Sequence, residues 1–363
     1  MKKIFFVIIF LLHTICTNTY PQQKKYYFYN PKNNFGSELW FNPLTVVING
    51  SYDILRNGGF SNKDVFNLPY KAGFDNVLRN ISHPIKNIEL FGWREFLRHE
   101  CLNISLNTYK SQFVPNFSHH IIGNGMQYVK LAEWYDYHNV KYPYLCSFLT
   151  TTLYQFMNEV IENGEYVGTN VDPISDMLIF NPLGFIVFSF DFVKRFFSKT
   201  LQMNDWSLQY FINPENRFIE NAGQQFVVKY KIPFTKNYSA FLYWGIYGIG
   251  GISYRYNKIH NFSIGVGTVV NMLHEKRLKW SRVLTPALDG AFGFFYDKNN
   301  SLMSSVIITY PRLFNVRIDI FPGFIRKKWF IPGVFIGFGE WDHFAIGLTT
   351  AYIPVGVITG IYN

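Results

Sequence analysis

Phe262-Ser263-Ile264-Gly265-Val266-Gly267-Thr268-Val269-Val270 is the stretch whose reading decides the fold. Phe262, Ile264, Val266, Thr268 and Val270 fall on alternate positions, with Ser263, Gly265 and Gly267 between them. One face of this strand is bulky and the other nearly bare. Phe314, Val316, Ile318 and Ile320 alternate in the same way with Asn315, Arg317 and Asp319. Outward from these, comparable runs at 207–212, 223–232, 239–254, 290–297, 301–310, 330–339, 343–350 and 352–361 are divided by Pro, Gly, Asn or Lys clusters such as Asp297-Lys298-Asn299-Asn300. That predicts about ten strands after Trp206.

A soluble sandwich could produce the same alternation, because each of its sheets also hides one face. Aromatic residues tilt the choice, since they collect at strand ends: Tyr243-Trp244, Tyr254, Tyr256, Trp280, Tyr310, Trp329-Phe330, Trp341 and Tyr352. An interfacial girdle has this pattern. The expected fold is therefore mainly β with a helical module. A C-terminal antiparallel transmembrane β-barrel of about 8 to 12 strands would occupy residues 206–363, with N-terminal and middle helices before it.

Composition agrees with a packed chain of one or two domains. Among 363 residues, 71 are Phe, Tyr or Trp, and 48% are hydrophobic, which excludes a disordered, collagen-like or coiled-coil chain. Lys and Arg outnumber Asp and Glu by 34 to 24, a net charge of +10, but only 16% of residues are charged. The basic residues are scattered, with clusters at Arg326-Lys327-Lys328 and from Lys276 to Lys279. Loops near anionic headgroups explain them better than nucleic acid does. Met1-Lys2-Lys3, nine apolar residues from Ile4 to Leu12, and small or polar residues to Thr19 have the layout of a signal peptide over 1–19. Cys101 and Cys146 follow the leader, and one disulfide or two buried thiols are both open.

Residues 20–39 read as a linker rich in Gln, Lys, Tyr and Asn, and 40–205 as a mainly helical module with one strand from Trp40 to Ile48. Ser61 to about Arg98 reads as short helices punctuated by Pro69 and Pro84. A helix should start at Pro143 and stop at Asn163-Gly164, since Leu145, Phe148, Leu149, Leu153, Phe156, Met157 and Val160 recur at three and four. A third helical segment, from Pro173 to Ser198, is long enough to span a membrane, but Asn181, Pro182, Asp191, Lys194 and Arg195 interrupt it.

No phosphate loop, dinucleotide fingerprint, Cys-x-x-Cys pair or nucleophile elbow is present. What stands out is a set of polar residues in an apolar region: His119, His120, Tyr128, Glu133, Glu159, Glu162, Asp172, Asp176 and Asn181. Glu159 and Glu162 lie three apart on one helix face, where two carboxylates could meet a histidine or a cation. Candidate catalytic residues are His120 as base with Glu159 or Asp176 as partner. Candidate metal ligands are His120, Glu159 and Glu162. The competing reading is hydrogen bonding within the fold and an ordinary solvated helix end before Gly164.

The run Phe117-Ser118-His119-His120-Ile121-Ile122-Gly123 with Tyr128, then Asn158-Glu159-Val160-Ile161-Glu162, Asp172 to Leu178, and Asn181-Pro182-Leu183-Gly184 resembles an uncharacterised family of bacterial envelope proteins. The likeness covers about residues 90–200. It implies a leader, a His-x-x-Gly element, a Glu-bearing helix, a Ser/Asn-Asp-Leu element and a strand-rich carboxyl end, with no established activity. Together these readings predict an outer-membrane barrel of structural, transport or lipid-interacting role, with membrane lipid as its partner and no cofactor or nucleic acid. Two alternatives stand beside it: a membrane-embedded lipid or lipopolysaccharide hydrolase, and an inner-membrane helical hairpin bearing a periplasmic β-domain.

Overall fold

A computed structural model describes residues 26–57, 63–105, 111–277, 282–309, 313–326, 330–340 and 343–361. The expected leader over 1–19 lies outside the described residues, as do Trp280, Tyr310, Trp329 and Trp341 of the expected girdle.

Among the described residues, thirteen strands form one sheet. Three are two-residue segments, β1 (Asn204–Asp205), β2 (Phe211–Ile212) and β3 (Ile219–Glu220). The rest form a meander: β4 (Gln225–Lys231), β5 (Tyr238–Gly245), β6 (Tyr247–Arg255), β7 (His260–Arg277), β8 (Arg282–Lys298), β9 (Ser301–Thr309), β10 (Val316–Ile320), β11 (Pro332–Phe338), β12 (Phe344–Thr350) and β13 (Ile353–Ile361). Each pairs antiparallel with the next, as alternating runs joined by short turns should. Asn299 and Asn300, both at positive φ, make the two-residue turn between β8 and β9, a conformation that asparagine tolerates and that matches strand twist.

The sheet is not closed into a barrel, which corrects the principal expectation. β13 pairs in parallel with β2 through Gly356–Phe211 and Val357–Ile212, β4 pairs with β1, and the order ends at β1 and β3 without a bond between them. The outer-membrane barrel, its localisation, membrane lipid as a partner and the membrane-embedded lipid hydrolase all rested on closure and are corrected with it. The helical hairpin is corrected too. No helix among the described residues is long and apolar enough to cross a membrane, and the pair Asp172–Ser189 and Asp191–Thr200 reaches that length only across an 84° bend.

The bare face of β7 turns inward and its bulky face outward: Ser263 is buried, while Phe262, Ile264 and Val266 are exposed. Aromatic rings fill the space that glycines leave inside. A Cβ on Gly347 would meet Phe211 at 2.5 Å, and one on Gly337 would meet Phe314 at 2.7 Å. The helices cover this inner face, and Trp40, Ile54, Leu55 and Ile161 share one core with Trp206, Phe241 and Phe295. Each large apolar side chain buried in this way contributes about 1.5–3 kcal/mol.

The strand expected from Trp40 to Ile48 is instead helical, with Gly36–Trp40 and Pro43–Ser51 on either side of Asn42. Asn42 Oδ1 accepts from the Leu44 and Thr45 N–H groups, Thr45 Oγ1 accepts from Asn42 N–H, and Pro43 occupies the first helical position. That capping box decides the segment against its alternation. The longest helix among the described residues spans Pro143–Asn163, as its spacing predicts. Cys101 and Cys146 are both free thiols.

Candidate functional site

Three segments bring the polar residues together. The π-helical turn Asn116–Gly123 carries His119 and His120, the Pro143–Asn163 helix carries Glu159 and Glu162, and the run from Asp172 through the π-helical turn Asp176–Phe180 carries the two aspartates. Widened helical turns of this kind recur at functional sites because they re-aim one side chain. Gly184, on the Asn181–Ser189 helix, sets the approach: a Cβ there would stand 2.6 Å from the His120 carbonyl oxygen and 2.9 Å from that of Ile121. Gly184→Val should therefore displace the histidine turn and lower stability by about 1–3 kcal/mol, seen as a reduced urea midpoint. An unchanged midpoint would show that the approach is not tight.

Glu159, Asp172 and Asp176 each offer a carboxylate oxygen within 4.8 Å of the others. Glu159 and Asp176 are buried and Asp172 is half-buried. Burial, reinforced by the charges of Asp172, Asp176 and Glu162 and by a hydrogen bond with Asp176, holds the Glu159 carboxyl well above its ordinary range. Three negative charges this close are unfavourable in a low-dielectric setting, so the cluster takes up a proton or a cation.

His120 Nε2 lies 3.0 Å from Asp176 Oδ2, and its Nδ1 lies 3.0 Å from Asn181 Oδ1. The Asp176 and Asn181 oxygens favour a proton on each ring nitrogen, and Asn124 Nδ2 also lies 3.3 Å from Nδ1. Burial alone would lower its pKa, but the Asp176 charge and the hydrogen bonds outweigh burial and raise it. Asn181 is fixed in turn by Asn124 Nδ2 at 3.1 Å and by donating to Gln155, and Tyr154 donates to Asn124 at 2.9 Å. His119 is the opposite case. Burial and the neighbouring His120 push it down to about 3, so it stays neutral. The two adjacent histidines are thus pushed in opposite directions, a division seen where acid and base roles are separated.

These groups line a cavity of about 420 Å³ between the helices and β5–β8. Of the nine polar residues singled out in the sequence, His119, His120, Glu159, Glu162, Asp172 and Asp176 line it, and Asn181 braces it from behind. Tyr128 packs instead on Phe185, with ring centroids 4.7 Å apart. Glu133 clamps the amino-terminal segment by accepting the backbone N–H groups of Tyr27, Phe28 and Tyr29 at 2.6–2.8 Å. Asp53, Gln155, Gln224 and Trp244 also line the cavity and were not expected. Asn124, four residues after His120 and so on its helix face, was detectable by spacing.

No family model matches this chain, and neither a curated protein nor a solved structure matches it. The resemblance to bacterial envelope proteins is corrected by that result, and the site itself is what speaks to function.

Proposed function

We propose that the chain is a divalent-cation-dependent hydrolase whose cation is held by Glu159, Asp172 and Asp176. The observation that carries this reading is the convergence of those three carboxylates, from two separate segments, on the wall of a ligand-sized cavity. An all-oxygen set suits a hard ion such as Mg²⁺, Mn²⁺ or Ca²⁺. Such an ion would polarise a substrate carbonyl or phosphoryl oxygen and acidify a bound water. The chain's own residues do the positioning. His120 Nε2 orients Asp176 through Oδ2, while the Ser175 hydroxyl, 2.8 Å from the Asp172 carbonyl oxygen and 3.1 Å from Asp176 Oδ1, sits between the two aspartates. With both nitrogens engaged and its charged form favoured by Asp176, His120 serves as an anchor, and neutral His119 is the ring able to accept a hydrogen bond from water.

Wild-type protein should bind one Mn²⁺ per chain, followed by electron paramagnetic resonance. Glu159→Gln should weaken that affinity by about 10–100-fold, while Glu165→Gln on the exposed turn should leave it unchanged. Hydrolysis of p-nitrophenyl acetate or bis(p-nitrophenyl) phosphate should track Mn²⁺ occupancy. Absence of saturable Mn²⁺, Mg²⁺ or Ca²⁺ binding would remove this reading.

A further inference from the structure

The β7–β8 hairpin outruns its neighbours. β7 has 18 residues and β8 has 17, against nine in each of β6 and β9. β6 pairs with β7 only as far as Val269, and β9 pairs with β8 only from Ala291 onward. Among the described residues, the part of β7 after Val270 and the part of β8 before Ala291 therefore pair only with each other, as a two-stranded arm. Pro286 suits such a place, because a proline has no N–H for a second ladder and is confined to strand edges. Gln112 Nε2, just before the histidine turn, donates to the Leu284 carbonyl at 2.7 Å and ties the arm to the helices.

One face of this arm is a wall of the cavity. Leu284, Pro286 and Leu288 alternate along β8, Leu273 and Val270 stand opposite Pro286 and Leu288 on β7, and all five line the cavity. Residues three apart in a regular strand point to opposite faces, but the register shift between Val270 and Met272 inserts one residue and brings Val270 and Leu273 to the same side. Leu284 also borders a small recess with Glu162 and Asp172, which puts this end of the apolar row beside the acids. At about 3.3 Å per residue, Leu288 lies about 13 Å farther along, and it is half exposed. Among the described lining residues there is no lysine or arginine, the side chains that clamp a phosphoryl group.

From this geometry we infer that the arm is the acyl-chain platform of the hydrolase, and that the substrate is an uncharged carboxylic ester with an apolar acyl chain of several carbons. The ester group lies at the acids, and the chain runs along Leu284, Pro286 and Leu288. Water's oxygen bonds to the carbonyl carbon, the acyl C–O bond breaks, and the alcohol leaves with one proton of that water. The inference rests on the hydrolase reading and deepens it, because it chooses a carbonyl over a phosphoryl substrate and names the group attached to it.

The test uses the full chain. With EDTA present, hexanamide, an uncharged mimic of the acyl part, is titrated by saturation-transfer NMR beside acetamide and hexyl phosphate. Hexanamide should bind, and acetamide and hexyl phosphate should bind at least about tenfold more weakly. Leu288→Asp should weaken hexanamide binding by about tenfold and keep Mn²⁺ binding, while Met272→Ser, on the other face of the arm, should change neither. With Mn²⁺ present, p-nitrophenyl hexanoate should exceed p-nitrophenyl acetate in kcat/KM by about tenfold, and Leu288→Asp should remove that preference. If hexanamide does not bind, if hexyl phosphate binds as well, if Leu288→Asp binds as wild type does, or if the acetate ester is preferred, the inference is overturned. Mn²⁺ binding without hexanamide binding would sink this inference alone, and hexanamide binding without Mn²⁺ binding would sink the cation reading alone.

Discussion

Lys130→Met should lower folding stability by about 3–5 kcal/mol, at the upper end of what one substitution does. Lys130 Nζ lies 2.9 Å from Glu38 Oε2 and 2.7 Å from Asn204 Oδ1, and both charged side chains are essentially sealed from solvent. The ammonium also sits 4.4 Å from the centre of the Phe41 ring. Glu38 Oε1 accepts the Asn30 N–H at 2.8 Å, so this pair joins the amino-terminal segment, the Asn124–Tyr137 helix and β1. Removing the cation strands a carboxylate where water cannot reach it. The cost comes from that stranded charge more than from a lost attraction. The double variant Glu38→Leu with Lys130→Met should accordingly recover more than half of the loss in urea denaturation. A single-variant loss below about 1 kcal/mol would show that the pair is reached by water.

Asp53→Asn should stabilise the protein at pH 8 and do little at pH 4. Burial raises this carboxyl from its ordinary 3.8 to about 8. The folded state therefore keeps a proton that the unfolded state releases. Where the folded state binds more protons, stability falls as pH rises, so this contribution is lost progressively between about pH 4 and pH 8. A difference of this size corresponds to at most about 5–6 kcal/mol. Asparagine has nothing to release, and urea midpoints of the variant should change much less over the same interval. Parallel pH profiles for the two proteins would mean that Asp53 ionises freely in the fold.

How much of this was legible depends on the range over which a residue acts. The alternation in β7, the dividing Asn299-Asn300 turn and the Pro143–Asn163 helix are local signals, and the structure keeps each. The grouping of Glu159 with His120 and Asp176 was suggested by polar side chains in apolar surroundings, which cannot be buried without partners. Closure of the sheet was not legible. It turns on Phe211 and Ile212, the end of the run expected as a strand over 207–212, whose parallel pairing with part of the edge of β13 no local pattern announces. At Pro43, Trp40, Leu44, Val46 and Ile48 satisfy a period of two as well as a helical face, and the Asn42 cap is what decides for the helix. Asp53 and Trp244 lie almost two hundred residues apart, and no spacing rule joins them.

The β2 contact has a consequence for the whole molecule. Among the described residues, only Gly356 and Val357 of β13 find ladder partners on that side, so most of one flank of the nine-residue strand lies outside the described backbone ladder. Main-chain amides and carbonyls on that flank look to water or side chains for their partners. Tyr210 supplies one, its hydroxyl donating to the Pro354 carbonyl. The sheet thus has a weak seam at its last strand, stitched by a phenol where a continuous ribbon would have used peptide groups.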